Sequence, residues 1–257
     1  SMHKIHTKHS KIFVLTDETC RRIFLKKITR SLPMKPVVIV IPSGEQAKNI
    51  ETLQAIWRAL HKGGCNRKSL LINLGGGAIC DVGGFAASTF MRGIDFLNIP
   101  TTLLAQVDAS IGGKTGIDFD GIKNLIGTFN EPIDIVIDAS MLKTLPRREF
   151  VAGFAEIIKH GLIADAAYFR KATSKHPLKF TRKELAYIIA RSRAIKSAIV
   201  VSDPKEGGRR KLLNFGHTIG HAVEALSLKT KHPLLHGEAV AIGMIAEAEI
   251  LQSIGKI

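Results

Sequence analysis

Leu70-Leu-Ile-Asn-Leu-Gly-Gly-Gly-Ala-Ile-Cys-Asp81 is the stretch that decides the fold. Its first five residues are an apolar run of strand length with turn residues directly behind it. Three glycines follow, so backbone amides there can approach a pyrophosphate. The helix they open, which contains Gly83 and Gly84, adds positive potential at its N-terminus. The spacing is not G-x-G-x-x-G, because Cys80 stands in the place of the third glycine. Taken alone, the run also fits a tight strand–helix turn with no ligand.

Working outward, Ile12–Leu15 and Val37–Ile41 precede this strand, and Ile94–Ile99 and Ile135–Ile137 follow it. All are short and rich in β-branched residues. Between the second and third, Glu45–His61 is amphipathic through Ile50, Leu53, Ile56, Trp57 and Leu60, and stops at Gly63-Gly64 as a glycine-capped helix should. Strand–helix alternation predicts a parallel sheet with helices on both faces. Past Lys143-Thr-Leu-Pro146 the character changes to helix: Arg147–His160, Tyr168–Thr173, Arg182–Val201, Phe215–Leu226 and Glu238–Ile254, with Pro146 at the N1 region of the first. The expected fold is α/β. A doubly wound, Rossmann-like parallel-sheet domain spans residues 1–145, and an all-helical metal- and substrate-binding domain spans 146–257.

The 257 residues suffice for two domains, and 45% hydrophobic with 23% charged residues is ordinary for a globular chain. No apolar run is long enough to span a membrane and no secretory leader opens the chain, so no membrane partner is expected. Three cysteines, Cys20, Cys65 and Cys80, make neither a disulfide framework nor a Cys-rich metal site, which fits a reducing, cytoplasmic setting. Ser1-Met2 reads as a tag-cleavage scar. The net charge of +15 raises the possibility of nucleic-acid binding. Against it, aromatics are only 6%, no nucleic-acid module is present, and the cations scatter over Lys26–Arg30, Lys171–Lys183 and Lys205–Lys211. The reading is therefore no nucleic-acid partner, with part of the charge serving an anionic small substrate.

Two further strand ends carry chemistry. Ser43-Gly-Glu-Gln-Ala-Lys48 offers a carboxylate and an amine, and Thr101-Thr102 offers hydroxyls; with Gly75–Asp81 they are expected to converge at the carboxyl ends of the strands. Asp108-Ala-Ser-Ile-Gly-Gly-Lys114 and Gly121-Ile-Lys-Asn124 place lysines among glycines, which suits phosphate oxygens. Asp108 breaks the Walker A spacing. Arg92, in Met91-Arg92-Gly93, adds a cation. In the helical half, Glu156, His217 and His236 form an open three-ligand set suited to catalytic zinc, with a fourth position left for substrate or water. His217 and His221, four apart on one helix face, are an alternative pair.

Gly75–Asp81, Phe90–Gly93, Ile99–Leu104, Val107–Thr115, Phe154–Gly161, Asn214–His221 and Leu235–Glu238 together resemble the 3-dehydroquinate synthase family, in order and spacing, from about Lys11 to Glu249. The wider group is the sugar phosphate cyclases, which share a fold with iron-dependent alcohol dehydrogenases. The resemblance implies an NAD-dependent lyase using zinc or cobalt, a cytoplasmic homodimer of the shikimate pathway acting on an anionic sugar phosphate. It implies that Glu156, His217 and His236 hold the metal and that His221 sits near the substrate phosphate. NAD contacts fall on Ser43, Gly44, Glu45, Gln46, Ala47 and Lys48, on Gly77, Ala78, Ile79, Cys80 and Asp81, and on Thr101 and Thr102. Lys114, Lys123, Met141, Leu142, Lys143 and Thr144 complete that set. The active-site set is Asp108, Lys114, Asn124, Lys159, Lys196, Arg210, Asn214 and His221, with Arg92 reaching the neighbouring subunit's phosphate site.

Arg210 and Lys196 stand where the family binds the substrate carboxylate, a group absent from glucose 6-phosphate and sedoheptulose 7-phosphate. That favours a heptulosonate over the substrates of related cyclases; an NAD- and metal-dependent polyol dehydrogenase is the other alternative. Family members usually have one more N-terminal strand and continue well past the position of Glu249. The chain is therefore expected to be shortened, with catalysis more affected than NAD binding.

Overall fold

The computed structural model describes residues 9–256, so the expected Ser1-Met2 scar lies outside them. The chain divides into two compact units between Met141 and Leu142. In the first, β1 (Lys11–Asp17), β2 (Val37–Ile41), β3 (Ser69–Gly75), β4 (Asp95–Pro100) and β7 (Asp134–Ile135) form one sheet in the order β2-β1-β3-β4-β7. Every pairing in it is parallel. Alternate residues of the strands feed two cores, because successive side chains leave opposite faces of a strand. Phe13, Leu15, Ile39 and Leu71 pack with Leu53, Ile56 and Leu60 of α3 (Ile50–Lys62) and with Val82 and Phe85 of α4 (Gly77–Thr89). Ile12, Val14, Leu70, Ile72 and Leu97 pack with Ile28. That residue lies in α2 (Lys26–Arg30), which continues α1 (Glu18–Cys20) through a π-turn at Arg21–Leu25. The doubly wound reading is what the structure shows.

Several local expectations change. The helix expected over Glu45–His61 is a 3₁₀ turn, Glu45–Ala47, followed by α3 starting at Ile50. Asn49 interrupts it: extended, with its side chain accepting from Thr52 N–H, it is the N-cap of α3. Gly63 closes α3 in a right-handed conformation, and the left-handed glycine is Gly64. The segment expected as a phosphate loop is an antiparallel hairpin, β5 (Lys114–Phe119) and β6 (Ile122–Phe129). Asp120-Gly121, both at positive φ, makes its two-residue turn.

The second unit is helical: α5 (Arg147–Ala164), α6 (Ala166–Ala172), α7 (Arg182–Ser202), α8 (His217–Ser227) and α9 (His236–Ser253). Pro146 is the N-cap of α5, not its N1 residue. Thr181 and Glu184 start α7 with a reciprocal capping box. The helix expected from Phe215 begins at His217, because Gly216 is left-handed there and Phe215 lies in extended backbone. No helix among the described residues is long and apolar enough to cross a membrane.

Gly83 shows how tightly α4 sits on the sheet. A Cβ there would lie 2.0 Å from Asn73 Oδ1 and 2.7 Å from Leu15 Cδ2. Alanine normally gains about 1 kcal/mol over glycine inside a helix. At Gly83 it would instead drive apart a close contact with the buried Asn73, whose Nδ2 donates to Asn98 Oδ1. Overpacking costs about 1–3 kcal/mol and should outweigh the helix gain. Gly83→Ala is expected to lower the urea unfolding midpoint; an unchanged or raised midpoint would refute the close fit.

Candidate nucleotide and metal sites

In the first unit, β3 runs directly into α4 through Gly75-Gly76, and Gly76, the N-cap of α4, supplies no side-chain cap. The first amides of a helix have no intrahelical acceptor, so α4 presents donors beside the half-buried Gly76, Gly77 and Ala78. Glycine is needed there for space. A Cβ on Gly75 would stand 2.4 Å from Ile79 Cγ1, and one on Gly77 would stand 3.2 Å from Ala109 Cβ. This amide-lined cradle suits a pyrophosphate. Ile79 and Cys80 point into the core, and burial pushes both the Cys20 and Cys80 thiols well above their ordinary range, Cys20 to about 12.

Lys48 gathers the neighbouring segments. Its side chain is only 3% exposed, and Nζ lies 3.0 Å from Asp81 Oδ2, 3.2 Å from Glu45 Oε1 and 2.5 Å from Asn124 Oδ1, with Asp118 Oδ1 at 3.8 Å. Lys123 Nζ also approaches Glu45, at 3.7 Å. Burial works against the Lys48 charge, but Asp81, Glu45 and Asp118 more than offset it and hold the ammonium above its ordinary pKa. The 3₁₀ turn, α4 and the hairpin are thereby tied to one cation. Thr101 is buried at the end of β4 with its hydroxyl 3.4 Å from Cys20 Sγ, and Thr102 Oγ1 accepts from Ala105 N–H. Asp108 lies half-buried on the π-turn Ala105–Ala109, Lys114 opens β5, and Met141 is in the core. Gln46 Nε2 donates back to Ser43 O, and Gly44 has φ +89. Arg92 is exposed at φ +67, between Met91 and Gly93, which are also at positive φ. Leu142, Lys143 and Thr144 fall in the second unit.

In the second unit three helices bring the proposed ligands together through glycine contacts. A Cβ on Gly237 would lie 2.0 Å from Ala152 O, and one on Gly243 would lie 2.0 Å from Gly216 O. The start of α9 therefore lies directly on α5, and its second turn on the entry to α8. Glu156 is one turn beyond Ala152 on the same face of α5. His217 Nε2 is 3.7 Å from Glu156 Oε1, and the His217 and His236 ring centroids are 5.3 Å apart. Ring nitrogens of His217, His221 and His236 all lie within 4.8 Å of one another. His221 joins His217 and His236 from the exposed side of α8, and Glu156 meets this group through His217.

The wholly buried Glu156 is ion-paired with Lys159, itself 1% exposed. His217 Nδ1 faces Phe215 O at 3.3 Å, and His236 Nδ1 faces Glu224 Oε2 at 3.1 Å. A carbonyl and a carboxylate accept only, so Nδ1 is the donor in each contact and Nε2 is the ring nitrogen left to a metal. Lys196 and Arg210 are buried, and Arg210 Nη1 donates to Pro204 O at 2.6 Å. Asn214 Nδ2 donates to Glu206 Oε1 at 2.7 Å.

The matches to known families cover the whole of this arrangement. Descriptions of the 3-dehydroquinate synthase N-terminal and C-terminal regions match residues 38–152 and 153–257. A 3-dehydroquinate synthase of Parabacteroides distasonis is 46% identical over 243 residues, covering 93% of this chain and 68% of that protein. The chain belongs to the 3-dehydroquinate synthase family.

Among solved structures, a 2-deoxy-scyllo-inosose synthase complexed with carbaglucose-6-phosphate, NAD+ and Co2+ aligns at TM-score 0.88 and 26% identity, covering 98% of this chain and 72% of that one. A 2-epi-5-epi-valiolone synthase from Streptomyces hygroscopicus, with NAD+ and Zn2+ bound, aligns at 0.85 and 29%, covering 95% and 69%. The residues of this chain fit both groups. The Gly75–Gly77 cradle suits a dinucleotide. One carboxylate and imidazole lone pairs, with the 3.7 Å Glu156–His217 separation, suit ligands each about 2.1 Å from one divalent ion.

Several residues that shape these sites escaped the sequence reading: Glu206, Glu224, Asp203 and Glu247. Asp203 accepts from the N–H groups of Gly207, Gly208 and Arg210, and those backbone bonds hold its carboxyl below the usual range. The Asp203-Pro-Lys-Glu-Gly-Gly208 run is a turn signal that could have found it.

Lys48→Met is expected to destabilise the protein by about 1–3 kcal/mol at neutral pH, because three partly hydrated carboxylates lose their shared cation. A raised folded pKa stabilises below the unfolded value and is lost as pH climbs through the folded one. The gap between wild type and variant in chemical denaturation should therefore hold up to about pH 10.5, the ordinary lysine value, and shrink above it. A gap that widens with alkalinity would contradict the assignment.

Proposed function

We infer that this chain is a 3-dehydroquinate synthase, converting 3-deoxy-D-arabino-heptulosonate 7-phosphate into 3-dehydroquinate and inorganic phosphate. The observation that carries the reading is the approach of Glu156 to His217 and of His217 to His236 in a chain of this family, accompanied in the same unit by the buried cations Arg210 and Lys196. When bound, the divalent ion polarises a substrate hydroxyl and NAD+ takes up and returns a hydride.

The rest is holding and orientation by the chain. Glu156, His217 and His236 are the ligands, with His221 left to the substrate phosphate. Arg210 and Lys196 bind the carboxylate; the guanidinium fork is planar and suits bidentate pairing. Lys114, Asn124 and His221 hold the phosphate, whose own oxygen takes the proton from the carbon made acidic by the neighbouring ketone. The C–O bond to phosphate then breaks, leaving the alkene. After the hydride returns, ring opening and an aldol closure need only a fixed geometry. Ser43–Lys48, Gly77–Asp81, Thr101, Thr102, Lys123 and Met141–Thr144 form the NAD set, and Asp108 and Lys159 belong to the active-site set. Arg92 reaches the phosphate site of a second copy in a cytoplasmic homodimer, for which zinc and cobalt are the candidate metals.

Phosphate release from the heptulosonate is expected to require NAD+, to stop with chelator, and to leave no net NADH. His236→Ala and Glu156→Gln should lose bound metal, whereas His221→Ala should keep the metal and lose turnover. Accumulating NADH would point to a dehydrogenase, and turnover of sedoheptulose 7-phosphate but not the heptulosonate would sink the assignment. Loss of metal in His221→Ala with retention in Glu156→Gln would replace the carboxylate ligand by the third imidazole.

A further inference from the structure

Glu247 lies on α9, outside the proposed metal, NAD and active-site sets, and its carboxylate is bonded to the start of α8. Oε2 accepts from Gly216 N–H at 2.7 Å, and Oε1 accepts from Ile219 N–H at 3.2 Å. These are the N–H groups of the N-cap and N3 positions of α8, the two that a local capping box satisfies with two side chains. Here one carboxylate from another helix satisfies both.

The local sequence explains why the cap is supplied from a distance. The N-cap of α8 is Gly216, at φ +80, and a Cβ on it would stand 2.4 Å from Met244 Cγ and 2.8 Å from Val240 O. Serine, threonine or aspartate, the residues that normally cap a helix, have no room there. The close approach of α9 that excludes them also brings Gly243 onto Gly216 O, and Glu247 stands one turn from Gly243 on the same face. A negative charge at a helix N-terminus is further favoured by the helix dipole. His217 is the first residue of the turn so held, and His221 follows one turn later.

We propose that Glu247 is a positioning residue of the metal centre: by capping α8 from α9 it fixes the His217 and His221 imidazoles against His236. The proposal rests on the metal reading above and extends it to a residue that does not touch the ion. A purely stabilising role would lower the melting temperature and leave the ligand geometry of the folded protein alone. A positioning role alters metal affinity.

The experiment measures Zn2+ affinity by competition with a chromophoric chelator, the visible spectrum of the Co2+ form, and hydrogen exchange at Gly216 and Ile219, in wild type, Glu247→Ala and Glu247→Gln. Tyr168→Phe is the control; it removes a buried hydrogen bond to Ile188 O in the same unit, from α6, which carries none of the three clustered histidines. In Glu247→Ala, zinc affinity should fall roughly tenfold to a hundredfold, the span seen for removal of outer-shell partners. Exchange at the two amides should speed up, and the Co2+ bands should shift. Glu247→Gln keeps an acceptor and should recover part of the affinity, while Tyr168→Phe should match wild type. Equal zinc affinity in wild type and Glu247→Ala, or an equal loss in Tyr168→Phe, would overturn the proposal alone. A wild-type protein that takes up neither zinc nor cobalt would overturn the metal reading, and the proposal with it.

Discussion

No side chain can stand between Gly243 and the Gly216 carbonyl, or between Gly237 and the Ala152 carbonyl. Those two exclusions set the rest of the helical unit. Helices packed through ordinary side chains keep their axes roughly 8–10 Å apart; where glycine removes the side chain, one backbone meets another directly. Helix α9 meets α5 at one end of its first turn and α8 about two turns on, and is thereby fixed against both. Ligands on three helices otherwise depend on three separate rotamers and three helix placements. With the placements fixed by backbone contact, the 3.7 Å approach of His217 to Glu156 follows from short, well-held side chains. Glu224 and the Phe215 carbonyl then determine which ring nitrogens face the cluster.

The first unit reaches a comparable fixity by a different means. Its glycines make room for neighbouring chain, for Ala109 at Gly77 and for the sheet at Gly83, but the segments around them are joined electrostatically. One buried ammonium, Lys48, draws together carboxylates from the 3₁₀ turn, α4 and β5 and the Asn124 amide from β6. A cation among carboxylates near a phosphate cradle has a second consequence. It offsets negative charge that would otherwise oppose an anionic ligand at the strand ends. Packing arranges the helical unit, and charge arranges the carboxyl ends of the strands.

What the sequence disclosed follows this division. The buried strands were legible because both faces of a parallel sheet are covered, so each strand is a plain apolar run. The β5–β6 hairpin was not, since β6 leaves Ile122, Leu125, Ile126 and Phe129 exposed and shows no clean alternation. The Asp120-Gly121 turn signal was passed over because the following Lys123-Asn124 suggested phosphate binding. The extra length given to α3 came from assigning Glu45–Lys48 to the helix although the apolar pattern starts only at Ile50. In the helical unit the residues of distinctive chemistry stand out in the sequence: three histidines lie within reach of one another, and Glu156 lies 3.7 Å from His217. Glu224 and Glu247 do not stand out, because a glutamate on a helix is unremarkable until its partner, 12 or 31 residues away in the chain, is known.

Backbone strain adds an independent pointer to the same residues. Only Met91, Arg92, Asp120, Asn124 and Glu206 among the described non-glycine residues have positive φ. Asp120 is accounted for by its hairpin turn. Asparagine tolerates the left-handed region well, whereas arginine, methionine and glutamate do so at a cost of about 1–3 kcal/mol. Such conformations persist where surroundings over-determine them, and the surroundings are visible. Asn124 N–H donates to Asp118 while its side-chain oxygen accepts from Lys48. Glu206 sits in the loop that Asp203 ties down through three backbone amides, and it accepts from Asn214. Relaxing Asn124 would break its bond to Lys48 of the proposed NAD set, and relaxing Glu206 its bond to Asn214 of the proposed active-site set. Arg92 and Met91 are exposed in the 3₁₀ turn before β4 and lie beside Gly93, itself at φ +117, so three residues in succession have positive φ.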